Sequence, residues 1–153
     1  MAALLVATSG FLLAVLWMDL MFDVQARRLA VANAQQGDAA LASIAAYYRR
    51  VTTDAFPMNR LIGGVMLLQV AGIADEVLVH PVVHGFRALI VAALGIAPIG
   101  LALGRIFPDA VRLGARRDAV ATESALAIRI FRSHVACFVA IAAFLVIQLR
   151  LAR

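Results

Sequence analysis

The chain has 153 residues, 64% of them hydrophobic, and carries 14 basic against nine acidic residues for a net charge of +5. Its mean hydropathy is +0.94. Long apolar runs spread over the whole length exclude an ordinary soluble domain and define one integral membrane domain, residues 1–153. Every basic residue is arginine, which with the abundant alanine points to a GC-rich bacterial genome. The arginines lie in loops beside apolar runs, where they suit anionic lipid headgroups and not nucleic acid.

Uncharged runs cover residues 1–18, 61–74, 88–104 and 133–149. A helix needs about 20 residues to cross the ~30 Å hydrocarbon core. The expected spans are therefore 3–23, 60–79, 87–106 and 131–150. The expected fold is an all-α bundle of four transmembrane helices, joined by an amphipathic helix at the cytoplasmic interface. The first run lacks the basic start of a signal peptide. The ANA at 32–34 is separated from it by Asp19, Asp23, Arg27 and Arg28, so the segment reads as a retained helix. It ends in LWMDLMFDVQARR, where Asp19 and Asp23 lie one turn apart on one helix face.

In the loop that follows, LASIAAYYRRV sets Leu41, Ile44, Tyr48 and Val51 at helical spacing beside Arg49 and Arg50. That pattern predicts a helix lying in the headgroup plane, with tyrosine at the boundary and arginine reaching phosphates. Gly37 and Pro57 bracket it as breaks. The second span holds one strongly polar residue, Gln69, suited to a hydrogen bond between helices. The short connection ADEVLVHPVVHG carries Asp75, Glu76, His80 and His84, with Arg87 just beyond. Its plain reading is a polar turn in which Arg87 pairs an acid. A metal-binding or pH-sensing histidine pair is the alternative, weakened because Pro81 disfavours helix at His80.

The third span, with GIAPIGLALG, contains Pro98, a kink candidate, and Gly100 and Gly104 at a small-xxx-small spacing that permits close helix approach. In the second long loop Pro108 and Gly114 are breaks, and a helix resumes near Asp118. ESALAIRIFRSH then forms an amphipathic lead-in to the last span. Cys137, the one cysteine, is flanked by apolar residues and reads as a core residue, with no disulfide or CxxC chemistry.

Arginine bias puts the two long loops in the cytoplasm and both termini outside, in a bacterial inner membrane. Asp19, Asp23, Asn59, Arg60, Arg105, Arg132 and His134 then share the cytoplasmic end. Arg60, Arg105 and Arg132 are the expected counter-charges for the acids, in a network that sets four helices at one depth. The functional alternative is a polar pocket for a lipid headgroup, an ion or a proton. A divalent metal there is disfavoured by the arginines, and a metal site shared with His80 and His84 by the membrane thickness between them. No cofactor is specified. Bis-histidine haem lacks facing mid-span histidines, and a retinal Schiff base lacks a lysine.

The stretches WMDLMFDVQ, YYRRVTTDAFPMNRLI and IFRSHVACFVAIAAF give the chain a resemblance to small bacterial four-helix membrane proteins of the anthrone-oxygenase-like group. That resemblance covers the chain at the level of hydropathy. It implies a membrane bundle acting on or binding a lipophilic aromatic compound, and it maps no catalytic residue.

Two functions follow from these patterns. The leading one is a non-catalytic membrane component, a homo-oligomer or an accessory subunit of a membrane complex, assembling through Gly100 and Gly104. The other is an enzyme or binding protein for a lipophilic substrate. There Asp19 or Asp23 would be proton acceptor or ligand, His134 the acid/base, and Arg60 and Arg105 anion anchors. An ion conductor is disfavoured, since Gln69 alone is polar at mid-membrane.

Overall fold

A computed structural model of the chain describes residues 1–29, 34–54, 56–79 and 84–151, and no strand occurs among them. The helices are α1 (Ala2–Asp23), α2 (Ala34–Arg49), α3 (Met58–Ala74), α4 (Phe86–Leu101), α5 (Phe107–Ala115) and α6 (Val120–Leu151). A 3₁₀ turn, Val24–Arg28, extends α1. Wider π turns, Arg50–Asp54, Asp75–Val79 and Ala102–Ile106, extend α2, α3 and α4.

Four helical stretches are long and apolar enough to cross a membrane: Ala2–Arg28, Asn59–Val79, Phe86–Ala115 and Val120–Leu151. They form a ring in which α1 packs on α6 and α3, and α4 closes the circle against α3 and α6. Leu5, Ile73, Val91 and Phe144, one from each, meet in its centre. Leu5 near the start of α1 lies with Phe144 near the end of α6, while Asp23 at the end of α1 meets His134; the two helices run antiparallel. Large apolar side chains on the outside of the ring are exposed, among them Leu67, Leu78, Leu103 and Val139, as a lipid-facing surface requires.

The helix at 41–51 exists, but protein covers its apolar stripe. Leu41, Ile44 and Tyr48 of α2 are buried in a second cluster with Ile106 and Leu113, from the α4–α5 junction and α5, and Ile130 of α6. The nine-residue α5 provides this cover: it continues α4 past its π turn and lays Ala110 and Leu113 on α2. The amphipathic lead-in and the last span are one 32-residue helix, α6, about 48 Å long at ~1.5 Å per residue. Its first third overshoots the ring and packs under α2 and α5.

Ion pairs surround this capped end. Arg129 grips Asp109 through two bonds, 2.7 and 2.5 Å, joining α6 to α5. Arg112 holds Asp118 the same way. That contact keeps the Asp118 carboxyl below the usual carboxylate range, first through its hydrogen bond to Arg112. Arg116 ends α5 in the left-handed region at φ 51°. It reaches Asp38 at 2.8 Å and lies 3.0 Å from Glu123, in ion-pair range without hydrogen-bond alignment.

Close helix approach uses other glycines than the spacing suggested. A Cβ on Gly95 would overlap Ile73 Cδ1, and one on Gly72 would stand 2.8 Å from Leu5 Cδ2. A Cβ on Gly114 would stand 2.9 Å from the Arg49 backbone nitrogen, where α5 crosses the end of α2. At Gly100, Gly104 and Gly10 it would meet nothing within 4 Å. Backbone cannot swing aside as a side-chain tip can. Gly114→Ala should therefore destabilise by about 1–3 kcal/mol, read as a lowered melting temperature in detergent, while Gly10→Ala leaves it unchanged or raises it. Equal melting of the two variants would contradict the close α2–α5 contact.

Candidate functional site

Asp19 and Asp23 occupy the last turns of α1 and face α2 and α6, not lipid. Asp23 is 0% exposed. Its carboxylate accepts the Tyr48 hydroxyl on one oxygen at 2.5 Å and meets His134 Nδ1 on the other at 2.6 Å. Asp19 accepts the Tyr47 hydroxyl at 2.6 Å, and its other oxygen stands 3.7 Å from His134 Nε2. The imidazole thus sits between two carboxylates. Adjacent positions on a helix point about 100° apart, from ~3.6 residues per turn, so one Tyr-Tyr pair serves both acids. Tyr47 is steadied by stacking on Phe22, with ring centres 4.0 Å apart, and by an edge contact to Tyr48.

Asp23 accepts from Tyr48 on Oδ1, and its Oδ2 faces the imidazole Nδ1. An ionised carboxyl has only acceptors to offer, so that contact then calls for the imidazole proton on Nδ1, and a proton on Nε2 would point toward Asp19. The cluster holds two carboxylates, one imidazole and two phenols, so it can store or pass a proton. Among the described residues no group of three or more His, Cys, Asp or Glu is arranged to hold a metal ion.

Arginine takes no part, which corrects the expected pairing. Arg60, Arg105 and Arg132 are exposed, and none forms an ion pair with Asp19 or Asp23 among the described residues. The Arg60 guanidinium lies over the Phe56 ring at 4.7 Å. A long guanidinium stem reaches water easily, whereas Tyr48 and His134 already lie in the protein interior and supply directed donors. Asn59 is half-buried, with a side-chain oxygen that has no partner among the described residues. The tyrosines are what the sequence reading missed. The available signal was Tyr48 inside a buried stripe: a buried phenol needs an acceptor.

The other end of the ring separates its residues. Glu76 is 3% exposed and accepts from Gln148 Nε2 at 2.9 Å, tying the end of α3 to α6. Among the described residues it has no ion pair with Arg87. His84 and Arg87 are exposed instead and line a groove between α4 and α6. Asp75 is half-buried, and His80 lies outside the described residues. Glu76 follows Gln69 by two helical turns on the buried face of α3, a signal that was present in the sequence. Gln69 Oε1 lies 3.1 Å from the Ser9 hydroxyl of α1. Cys137 is buried, its thiol 3.7 Å from the Pro98 carbonyl.

No protein-family model, curated protein or solved structure matches the chain. Four long apolar helices around shared polar and apolar layers are the build of a small multi-pass membrane protein.

Asp23→Ala strands the Tyr48 hydroxyl and the His134 Nδ1 in the interior and should cost about 3–5 kcal/mol in denaturant unfolding in detergent. The exposed Arg132 supplies the control: Arg132→Gln should cost nothing measurable. A loss of equal size in both variants would contradict the buried cluster. A separate check uses the two tyrosines of the chain. Both phenols are pushed above their ordinary value of 10.0, first by burial and then by the neighbouring carboxylates. The unfolded chain ionises them near 10 and the folded protein only higher. Their contribution to stability is therefore whole below pH ~10 and is lost as pH climbs beyond it. An ultraviolet phenolate titration should show no step near pH 10 in the folded protein; a normal two-tyrosine step would break the assignment.

Proposed function

We propose that the chain is a small multi-pass protein of a bacterial cytoplasmic membrane, a non-catalytic component that assembles with copies of itself through α4. Arginine bias puts the Asp19–His134 end in the cytoplasm and both termini outside. Near that boundary, α2 lies across the end of the ring with Arg49 and Arg50 exposed to anionic headgroups.

The observation that carries the proposal is the outer ridge of α4. Ala93, Ala97, Gly100 and Gly104 fall within one narrow arc of the helix, and all four are exposed. Added Cβ atoms at both glycines would meet nothing within 4 Å. A small-residue face spent on nothing inside the protomer suits a second helix approaching backbone to backbone, the way apolar helices associate in lipid. The buried cluster favours the same reading. Each carboxylate already accepts from a tyrosine, and both oxygens of the fully buried Asp23 are taken. Such closure suits a latch between helices more than a site awaiting substrate.

Native mass spectrometry from detergent, with crosslinking in membranes, tests this. The wild-type chain should run as a defined oligomer, and Gly100→Leu with Gly104→Leu should reduce it to a monomer of unchanged melting temperature. A monomeric wild type with no co-purifying partner defeats the proposal.

One observation favours a second reading, an enzyme or binding protein for a lipophilic compound, as the anthrone-oxygenase-like resemblance implies. His134 Nε2 stands 3.7 Å from Asp19, beyond a hydrogen bond, so one imidazole nitrogen is not fully engaged. Calorimetric titration with anthrone should then show binding that Asp19→Asn and His134→Gln abolish. Absent or unaltered binding removes this reading.

A further inference from the structure

At the end of the ring opposite Asp23, a groove of ≈ 640 Å³ lies between α4 and α6. That is within the roughly 300–1,000 Å³ of pockets that hold small molecules. Phe86, Ile90, Val91 and Ile147 line it, and Val91, only 2% exposed, belongs to the central core. Elsewhere on these two helices Leu89, Val146 and Leu149 are exposed apolar side chains. Two guanidiniums and an imidazole also line this greasy slot: Arg87 on the first turn of α4, Arg150 on the last turn of α6, and His84 just before α4. Neither arginine has an ion-pair partner among the described residues.

Apolar walls under two such guanidiniums match one kind of molecule. We propose that this groove binds an anionic phospholipid, its phosphate between Arg87 and Arg150 and one acyl chain lying along Ile90, Val91 and Ile147. Arginine forks match phosphate oxygens. The N-terminus of α4 adds a field of the same sign, since Gly85 caps it without a side chain. Charge complementarity selects the occupant. A neutral lipid would leave the guanidiniums unanswered, and a water-soluble phosphate would leave the apolar walls unused. The acids of this end do not compete for the site, because Glu76 is turned into the bundle toward Gln148 and Asp75, half-buried on the π turn after α3, is not a lining residue.

The test counts lipids on the full chain released from nanodiscs of equimolar phosphatidylglycerol and phosphatidylcholine, by native mass spectrometry. Wild type should retain phosphatidylglycerol over phosphatidylcholine by about tenfold, equivalent to ~1.4 kcal/mol. Arg87→Gln with Arg150→Gln should erase the preference while melting as wild type does, both side chains being exposed. Arg27→Gln with Arg28→Gln removes the same charge from the other end and should leave the preference intact. Ile147→Trp, filling the groove, should lower retention with both arginines present. The proposal is overturned if wild type retains the two lipids equally. It is equally overturned if the Arg27/Arg28 pair acts like the Arg87/Arg150 pair, or if inorganic phosphate alone raises the melting temperature as much as the lipid does. Retained lipid and oligomer mass are separate readouts, so a monomer that keeps phosphatidylglycerol would sink the assembly proposal and leave this one standing.

Discussion

A carboxylate with no exposure at all is the costliest group in this bundle, and the capped end is organised around it. Moving an ionised carboxyl from water to the interior costs several kcal/mol even after relaxation. Asp23 offsets that cost only where Tyr48 and His134 both reach it. The three residues come from α1, α2 and α6, so each of these helices has one permitted depth and rotation. A slip of one residue along α6 would turn His134 away by about 100°, given ~3.6 residues per turn, and leave the acid uncompensated. Apolar packing alone tolerates such slips far better, because one leucine contact resembles another. The polar cluster thus contributes uniqueness of register more than net stability. It also ties α2, which is not a spanning helix, to the ring.

Polar pairs recur at two further levels, each joining a different pair of helices. Ser9 meets Gln69 between α1 and α3, and Gln148 meets Glu76 between α6 and the turn after α3. The apolar layer of Leu5, Ile73, Val91 and Phe144 lies in the ring with these pairs. Among the described residues Gln69, Glu76 and Gln148 each keep one buried side-chain atom without a protein partner, whereas both oxygens of Asp23 are taken. The two halves of the bundle therefore differ: in one the fully buried acid is answered at both oxygens, in the other each link is a single bond with polar capacity to spare.

Hydropathy made the four long helices legible, because a continuous apolar run has few other stable forms. The spacing of Asp19 and Asp23 likewise placed them on one face, and Gln69 was readable as a link between helices. What hydropathy and charge could not convey was the identity of partners. Arginine is the obvious counter-charge by formal sign, but sign says nothing about reach, and Arg60, Arg105 and Arg132 extend into solvent while neutral phenols take the acids. The stripe of Leu41, Ile44 and Tyr48 announced an apolar face without saying what would cover it. Lipid and α5 are equivalent answers at the level of pattern. The glycines show the same limit. Gly100 and Gly104 have the spacing of a packing motif, yet Gly72, Gly95 and Gly114 make the tight contacts, because helix rotation decides which glycine faces a neighbour.

Helix rotation also explains why both outward features fall on α4. This helix joins the ring without a side chain–side chain hydrogen bond among the described residues; its one polar tie there is the Cys137 thiol to the Pro98 carbonyl. Pro98 itself removes a backbone bond from the middle of the helix, and the π turn Ala102–Ile106 widens its end. What seats α4 is shape: Gly95 lets it approach Ile73 and Phe144 closely. α4 carries the open small-residue ridge on one side and the arginine-bearing groove beside α6 on another. A molecule bound to either surface would therefore act on the member of the ring that is seated by shape and not by directed side-chain bonds, where fit alone decides how the contact is accommodated.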